Sequence, residues 1–380
     1  MAFDEKRFFQ ELEQLVNIDS GSYDIPGLEK VADELTRMYR ELGMFVDRME
    51  LGESHRPHIF ACTKDPATLT GERPIDVLFI GHFDTVFPEG TVAQRPYSTD
   101  GNRAYGPGVA DMKSGDLLAI HMLKELTAKY PDAVFAVSNN SDEELGSPDS
   151  GEFLKELASK AKYGFDMEPG RETGNFVYER KGCCEYWVDI EGISSHAGIA
   201  PDKGASAVQE MARWIRDLEK MHKTEPGRTL CVGIAQGGTA SNVVPDHAHM
   251  KLDLRYMDEG QRDRTEAFLD ELVATPYIPR TKAGWIRFSE FPPMRLIPET
   301  QHMADILKEE ADKMGYAIGF ESSAGASDAS LVSAGGTPII DACGGHGGGA
   351  HGVGEYLEIE TLAKRYQLLM ATIGRLVEEK

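Results

Sequence analysis

The sequence predicts an α/β fold built on a mostly parallel sheet, with a separate α+β segment inserted into it. Three observations support this fold class. Helical and strand-like segments alternate in the first third of the chain, short apolar runs such as Val77–Ile80 indicate buried strands, and the pattern becomes antiparallel α+β after residue 175. We therefore expect one domain from residues 1–175 and 293–380, and a second domain from residues 176–292.

Hydrophobic spacing and turn residues place the individual elements. The elements predicted before residue 176 are helices over residues 4–17, 26–42, 114–129 and 149–161 and strands near 44–51, 58–63, 77–80 and 133–137. Beyond residue 175 the pattern predicts helices near 204–222, 259–273, 299–315 and 358–378, strands at 247–255, 316–321 and 337–341, and a helix that has Asp328 as its N-cap.

Composition limits the classes of function. The 380 residues are 41% hydrophobic and 27% charged, which is ordinary for a globular chain long enough for two domains. With 63 acidic against 40 basic residues the net charge is −23, which disfavours binding to nucleic acid or to an anionic membrane surface. The five cysteines show no C-x-x-C spacing and indicate neither a disulfide framework nor a thiolate zinc site. Because no apolar run is of signal-peptide or membrane-spanning type, we expect a soluble cytoplasmic protein.

The strand at 77–80 leads directly into His82 and Asp84. Reactive groups collect beyond the carboxyl ends of parallel strands, and residues two apart in an extended chain face the same side. A neutral imidazole is a good zinc ligand, and a nearby carboxylate can hold its other ring N–H. For an isolated His-x-Asp motif, however, a histidine that merely satisfies its hydrogen bonds at a strand end is the more frequent case.

Further carboxylates follow in two later segments. Asp111 lies in the glycine-rich stretch Tyr105–Gly115 just before a helix, which it could also simply cap. Glu143 and Glu144 follow the next apolar strand. Adjacent residues in an extended chain face opposite ways, so one of the two could ligate a cation while the other carries protons, and a solvated acidic loop is the alternative. So much negative charge beside Asp84 would be repulsive without a cation.

Four spaced motifs extend this pattern along the chain: Gly81–Val86, Gly106–Gly115, Asp142–Gly146 and Met167–Pro169. With these motifs the chain resembles, over nearly its whole length, the M20 family of metallopeptidases, and most closely its glutamate carboxypeptidase branch. The resemblance implies a zinc-peptidase catalytic domain that holds two zinc ions. Asp111 would bridge the ions, with His82 and Glu168 on one of them and Glu144 and His351 on the other.

The same resemblance implies the chemistry. Asp84 would orient His82, and Glu143 would be the general base that takes a proton from a metal-bridging water and passes it to the departing amine. Cobalt or manganese could occupy the same oxygen and nitrogen ligands. The sequence has no Gly-x-Ser-x-Gly motif and no phosphate-binding glycine loop, which disfavours acyl-enzyme and nucleotide chemistry.

Two histidines compete for the last ligand position, in the glycine-rich stretch of residues 344–352. The family's ligand precedes a short glycine-containing segment that ends in Glu-Tyr, as His351 precedes Glu355 and Tyr356. We therefore choose His351 as the ligand. Whether His346 contacts substrate or is structural stays open.

The inserted segment resembles the family's ferredoxin-like lid domain, which usually also makes the dimer contact, so the resemblance implies a homodimer through this domain. His196 matches the lid histidine that polarises the scissile carbonyl, either in its own subunit or from a partner. Asn242 and Arg255 match contacts to the substrate carboxylate, a role that suits a guanidinium. For Arg255 the alternative is an ion pair on the strand surface.

Three functions follow from this interpretation. The first is a metallocarboxypeptidase that releases a C-terminal, glutamate-like residue from a small peptide or an N-acyl amino acid. The second is another amidohydrolase on the same scaffold, which could be an aminoacylase, a dipeptidase or a deacetylase. The third is an inactive relative that only binds a ligand, and it is disfavoured because every ligand and base position is filled.

Overall fold

The computed structural model describes residues 3–379. The helices in this part of the chain are α1 (Glu5–Val16), α2 (Ile25–Glu41), α3 (Thr91–Gln94), α4 (Lys113–Lys129), α5 (Gly151–Ala158), α6 (Ala207–Met221), α7 (Glu259–Ala274), α8 (Pro298–Lys313), α9 (Ala329–Ala334) and α10 (Ile359–Glu378). Each predicted long helix is present, with its ends within a few residues of the prediction. Within residues 3–379, no helix has both the length and the apolar character needed to cross a membrane.

The strands are mostly short. In the described residues they are β1 (Phe45–Glu50), β2 (Pro57–Cys62), β3 (Ile75–His82), β4 (Ser98–Thr99), β5 (Arg103–Tyr105), β6 (Phe135–Asn140), β7 (Ala161–Asp166), β8 (Phe176–Arg180), β9 (Gly182–Glu191), β10 (Ser195–His196), β11 (Thr229–Gly237), β12 (Val243–Val244), β13 (His247–Tyr256), β14 (Lys282–Phe291), β15 (Phe320–Ser323), β16 (Ile339–Ile340), β17 (Gly347–Gly348) and β18 (Tyr356–Glu358).

The chain forms two compact units. The first unit contains the described residues up to Arg180 together with Met294–Ser323 and the residues from Ser327 onward, and the second contains Lys181–Pro293 and Ala324–Ala326. The first unit includes β8, which the sequence analysis assigned to the inserted segment. This strand pairs in parallel with β15.

The main sheet of the first unit has the strand order β1-β2-β6-β3-β7-β16. Neighbouring strands from β6 to β16 run parallel, whereas β1 and β2 pair antiparallel, so the predicted mostly parallel sheet is confirmed. The register sets His82 beside Asn140 and Ile80 beside Asp166. Because parallel strands end at the same edge of a sheet, the loops after β3, β6 and β7 lie close together.

Two predicted strands are shorter in the structure. β15 begins at Phe320 rather than at residue 316, because the chain is still leaving α8 there. The backbone N–H of Tyr316 bonds to the Ala311 carbonyl at 2.9 Å, and Gly315 has a positive φ of 63°, which together form a common helix C-terminal motif. The strand predicted over 337–341 is reduced to β16.

The second unit is a four-stranded antiparallel sheet of order β11-β13-β9-β14. In chain order its elements are β9, α6, β11, β13, α7 and β14, with the first and third strands in the centre, which is the ferredoxin-like arrangement that was predicted. Alternate residues of β13 are buried, and they pack with Trp214 of α6 and Leu269 of α7 in one apolar core.

Candidate metal centre

His82 is buried at the carboxyl end of β3. Its Nδ1 lies 3.1 Å from the backbone carbonyl oxygen of Asp84 and 3.3 Å from Asp84 Oδ1, and both are acceptors. The ring proton therefore belongs on Nδ1, which leaves the lone pair on Nε2. Asp84 is itself held by the Ser22 hydroxyl, which donates to Oδ2 at 2.7 Å. Within residues 3–379, His82 Nε2 has no hydrogen-bond partner.

Asp111 lies between two imidazoles. Its Oδ1 is 3.2 Å from His82 Nε2, and its Oδ2 is 3.3 Å from His351 Nε2. The alternative in which Asp111 caps the following helix is wrong, because Met112 is the N-cap residue of α4 and no side chain caps that end. A carboxylate that offers one oxygen to each of two imidazoles has the geometry of a bridging ligand.

Two glutamates extend the cluster on either side of Asp111. Glu168, beyond the end of β7, has Oε1 3.4 Å from His82 Nε2. Glu144 has Oε2 3.2 Å from His351 Nε2. Glu143 is more distant from an imidazole, with its Oε2 3.9 Å from His82 Nε2.

The backbone of Glu143 and Glu144 differs from the prediction. Residues Glu143–Leu145 form a 3₁₀ turn, so the argument from alternation in an extended chain was wrong. The two carboxylates nevertheless separate, because Glu143 lies near His82 and Glu144 lies near His351. The alternative of a solvated acidic loop does not fit either, since both side chains are largely removed from solvent.

The structure brings His351, and not His346, to these carboxylates. His351 has a positive φ of 63°, which is uncommon for a residue with a side chain and is typical of functional sites. Its side chain is 57% exposed and forms the open side of the cluster. His346 instead has its Nε2 2.9 Å from the Tyr316 hydroxyl and stacks on that ring. Among residues 3–379, these contacts with Tyr316 indicate a structural role for His346.

The electrostatics of the cluster reflect its crowding. Burial lowers the pKa of His82, but contacts with Asp111, Asp84 and Glu168 outweigh it and set the pKa well above the ordinary value. Hydrogen bonds to Asp111 and Glu144 raise the pKa of His351 to about 10. Burial raises the pKa of Glu168, as does its neighbour Asp111. The surrounding carboxylates therefore favour positive charge at both imidazoles, which either a proton or a metal ion can supply.

Divalent cations fit these donors better than protons do. Two ligands about 2.0–2.1 Å from a tetrahedral zinc ion are about 3.3 Å apart, and the donor pairs around Asp111 are separated by 3.2–3.4 Å. The orphaned, buried Nε2 of His82 faces the same space. Imidazole and carboxylate donors without thiolate suit zinc, cobalt or manganese.

Glu355 is a supporting residue that the sequence analysis used only as a marker for His351. Its buried carboxylate accepts hydrogen bonds from the backbone N–H groups of Gly108 (3.0 Å), Ala110 (2.8 Å) and Asp111 (3.0 Å). It thereby ties the loop that carries Asp111 to the segment that follows His351. Its position four residues after His351 was the available signal.

Asp328 was expected to cap a helix, and that prediction is wrong in its chemistry. It occupies the N-cap position of α9, but its side chain makes no capping bond. Its carboxylate instead accepts from the Ser147 hydroxyl and from Asn140 Nδ2. Burial raises the pKa of Asp328 to about 7. The residue therefore connects α9 to the end of β6 and to the segment just after Glu144.

The remaining predicted site residues lie in the second unit. His196 Nδ1 accepts backbone hydrogen bonds from Gly198 and Ile199, both at 3.2 Å. The proton of a neutral ring is therefore on Nε2, which is available as a donor. β10 and β12 pair His196 with Val243, so Asn242 lies beside this histidine.

Arg255, on β13, contacts a carboxylate of its own strand. Its Nη2 lies 2.8 Å from Asp253 Oδ2, its Nε lies 3.0 Å from Asp253 Oδ1, and its Nη1 donates to the Ala324 carbonyl at 3.2 Å. The two side chains share one face because they are two residues apart in a strand. Within the second unit, Arg255 therefore forms the strand-surface ion pair that was the alternative prediction.

Comparison with known proteins decides the family. The model of the peptidase family M20/M25/M40 matches residues 78–375, which carry all of the clustered side chains. The chain belongs to this family. It is therefore a metallopeptidase, a divalent-metal hydrolase that acts on peptide or amide bonds.

Individual relatives of this M20 peptidase cover most of its length. Carboxypeptidase G2 of Pseudomonas sp. (strain RS-16) is 28% identical over 362 residues, which are 93% of this chain and 85% of the relative. Succinyl-diaminopimelate desuccinylase of Delftia acidovorans is 28% identical and covers 70% of this chain and 73% of its own length. The crystal structure of a tripeptidase from Staphylococcus aureus has a TM-score of 0.81 at 20% identity over 100% of both chains, which shows a shared fold.

Proposed function

We propose that this M20 peptidase is a two-zinc carboxypeptidase that hydrolyses the amide bond to a C-terminal, glutamate-like residue of a small peptide or N-acyl amino acid. The observation that carries the proposal is the position of Asp111, with one oxygen 3.2 Å from His82 Nε2 and the other 3.3 Å from His351 Nε2. In this arrangement Asp111 would give one oxygen to each of two cations. His82 and Glu168 would hold one ion, and Glu144 and His351 the other.

In the proposed mechanism the two cations, when bound, supply Lewis acidity to the scissile carbonyl and to the attacking water. Glu143 Oε2 lies 3.9 Å from His82 Nε2, farther than the oxygens of Asp111 and Glu168, so we assign its carboxylate to proton transfer rather than to ligation. Glu143 accepts the proton of the attacking water and delivers it to the leaving nitrogen. Asp84 keeps the proton of His82 on Nδ1 and so keeps Nε2 a ligand.

The substrate contacts are proposed from the second unit. His196 offers an Nε2–H donor, which suits the developing oxyanion because its Nδ1 is already occupied by two backbone N–H groups. Asn242 and Arg255 are proposed as contacts for the substrate carboxylate. In this role the Arg255 guanidinium would bind the substrate carboxylate either alongside Asp253 or in place of Asp253.

A substrate panel tests the proposal. N-acyl amino acids and dipeptides should be assayed on chelator-stripped enzyme reloaded with zinc, cobalt or manganese. Release of glutamate should have the highest kcat/KM among the amino acids tested. Equal rates for all leaving residues would refute the carboxypeptidase proposal while leaving amide hydrolysis intact.

The carboxylate contact has its own test. The kcat/KM values for the free-acid and amidated forms of one N-acyl glutamate should differ by a factor that corresponds to about 2–4 kcal/mol of transition-state binding. The reason is that the amidated form cannot make the charge-assisted bonds to a guanidinium. Arg255→Ala should lose this discrimination. Arg287→Ala is a matched control, since Arg287 is also a strand arginine in an ion pair of the second unit. If the parent cleaves both forms equally, Arg255 is not the carboxylate contact.

A more general N-acyl amino acid hydrolase is the second candidate. The ion pair between Arg255 and Asp253 favours it, because a guanidinium already paired holds a substrate carboxylate less strongly. The relative named as a succinyl-diaminopimelate desuccinylase also supports it. In that case acetyl or succinyl amines other than glutamate would be cleaved at comparable kcat/KM.

We also propose that the enzyme is a cytoplasmic homodimer formed through the second unit. All five cysteines are free thiols, which suits a reducing compartment. β11 is an edge strand of its sheet, and most of its residues are exposed. Sedimentation equilibrium that gives the mass of one chain would refute the dimer.

A further inference from the structure

Two histidines and a carboxylate meet on the sheet of the second unit. His247 and His249 are two residues apart on β13, so their side chains lie on one face, while the intervening Ala248 faces the apolar core. Asp189 of β9 is directly opposite His249 in the antiparallel register. Its Oδ1 is 3.1 Å from His249 Nδ1 and 3.8 Å from His247 Nε2. We call His247, His249 and Asp189 the β13 histidine cluster.

Solvent reaches the β13 histidine cluster. The side chains of His247 and Asp189 are 62% and 61% exposed, and that of His249 is 25% exposed. On the other side of Asp189, the opposite residue of β14 is Gly284, and a side chain added at Gly284 would meet no atom within 4 Å. A solvated ion can therefore approach the cluster, and the exposed ring of His247 has room to turn towards it.

The donor atoms of the cluster suit a divalent transition metal. Imidazole nitrogens and carboxylate oxygens are ligands for zinc, and two ligands of a tetrahedral zinc ion are about 3.3 Å apart. The two nitrogen-to-oxygen distances in the cluster, 3.1 Å and 3.8 Å, lie on either side of that value. Within residues 3–379, the basic side chains that pair with Asp189 are only these two histidines. No lysine or arginine of the described chain therefore occupies the place of a cation.

The position of the cluster in the sheet suggests what a bound ion would do. β9 ends at Glu191 and β13 begins at His247, and between these ends the short strands β10 and β12 pair with each other. The Gly192 N–H donates to the Asp246 carbonyl at 2.7 Å, which closes the base of this β10–β12 ribbon. An ion held by β9 and β13 would join the same two strands beside that bond. The ribbon carries His196.

We propose that the β13 histidine cluster is a further divalent-metal site, and that its ion fastens β9 to β13 at the base of the β10–β12 ribbon. The ion takes one nitrogen from each ring and a carboxylate oxygen from Asp189, with water as the fourth ligand. The site shares no residue with the metal centre of the first unit, and it does not depend on which amide bond the enzyme cleaves. With three protein ligands on an exposed surface, it fills after that metal centre as the free zinc concentration rises.

Zinc binding by the full-length protein tests the site. Chelator-stripped protein is dialysed against a series of buffered zinc concentrations, and bound zinc per chain is measured by elemental mass spectrometry. His247→Gln and His249→Gln should each raise the Kd of one equivalent about tenfold or more, because each removes a ligand. The matched control is His55→Gln, since His55 is an exposed histidine beside the single carboxylate of Glu50, at 3.1 Å. Identical binding curves for the parent and both cluster variants would overturn the site.

Hydrogen exchange tests what the ion does. At a free zinc concentration about ten times the Kd of the site, amides of the β10–β12 ribbon should exchange about tenfold more slowly than in the double variant His247→Gln/His249→Gln at the same zinc concentration. Equal exchange in the two proteins would overturn the fastening role. Comparison at one zinc concentration cancels the contribution of the metal centre in the first unit.

The same zinc series in the His351→Ala background separates this inference from the proposed function. Loss of zinc on His351→Ala reports on the metal centre, whereas the difference between the parent and the cluster variants reports on the β13 histidine cluster. If His351→Ala loses no zinc, the paired metal centre fails and the β13 site is unaffected. If the cluster variants lose no zinc in either background, the β13 site fails and the metal centre is unaffected.

Discussion

Glu355→Gln is the most informative perturbation of the supporting structure. Glu355 accepts three backbone hydrogen bonds, two on Oε1 from Ala110 and Asp111 and one on Oε2 from Gly108. The amide oxygen of glutamine can replace one carboxylate oxygen, but its NH₂ group would then face an N–H donor. The substitution keeps the shape and removes the charge and one acceptor.

The expected cost follows from those three bonds. A hydrogen bond to a charged group contributes about 1.5–3 kcal/mol and a neutral one about 0.5–1.5 kcal/mol, so two weakened bonds and one lost bond add to about 3–5 kcal/mol. Burial raises the pKa of Glu355 to about 7, so the comparison belongs at pH 8, where the carboxylate is ionised. Since the loop also carries Asp111, metal affinity should fall with stability.

Two measurements check this prediction. Urea unfolding gives the free energy of unfolding of the metal-free protein, and competition with a chromophoric chelator gives the metal affinity of the folded protein. Glu358→Gln is the control, because the Glu358 carboxylate forms a partly exposed ion pair with Arg103, and such pairs contribute at most about 1 kcal/mol. Unchanged stability and unchanged metal affinity in Glu355→Gln would refute the positioning role.

Three further predictions concern the site and its surroundings. Glu143→Gln should abolish turnover with both metals retained, whereas Glu144→Gln should lose metal; identical behaviour in metal content and turnover would reject the assignment. His196→Ala should lower kcat about a hundredfold at unchanged metal content, as expected for a lost oxyanion donor, and an unchanged kcat would exclude that role. Burial, together with the nearby Arg365 charge, lowers the pKa of His346 to about 4, whereas the pKa in the unfolded chain is about 6.5. Between these pH values the unfolded state binds one more proton than the folded state. The free energy of unfolding therefore falls as the pH drops from about 6.5 to 4. His346→Gln should reduce the stability loss between pH 7.5 and 4.5 by about 2 kcal/mol in urea unfolding, and an identical loss in parent and variant would contradict this.

The sequence was most informative where the chemistry is local. His82 and Asp84 stand two residues apart at the end of an apolar strand, so a contact between them was one interpretation of the motif, and the structure contains that contact. The α+β character of the inserted segment was equally visible, because strands such as β13 alternate and α6 is amphipathic, whereas the ferredoxin-like arrangement came from the family resemblance. Whether a segment is a helix or a strand is predicted from periodicity over many residues, so small errors in its end positions do not change the predicted type.

Long-range packing was out of reach of the sequence. The role of Glu355 depends on a loop more than two hundred residues earlier, and no local pattern marks such a bond. The residues around Asp328 predict a helix N-cap, but its carboxylate accepts hydrogen bonds from Ser147 and Asn140 instead. By contrast, a strand-surface ion pair was one alternative for Arg255, and Asp253 was the available partner because residues two apart on a strand share a face.

The measurement that tests the central claim most directly is metal content per chain, determined by elemental mass spectrometry on the same samples used for turnover. Chelator-stripped protein should be titrated with zinc and followed with N-benzoyl-glutamate as substrate. If the centre holds two zinc ions, turnover should rise until two equivalents of zinc per chain are bound. The His351→Ala variant should bind less metal than the parent. Full turnover with one equivalent or none would contradict the paired metal centre.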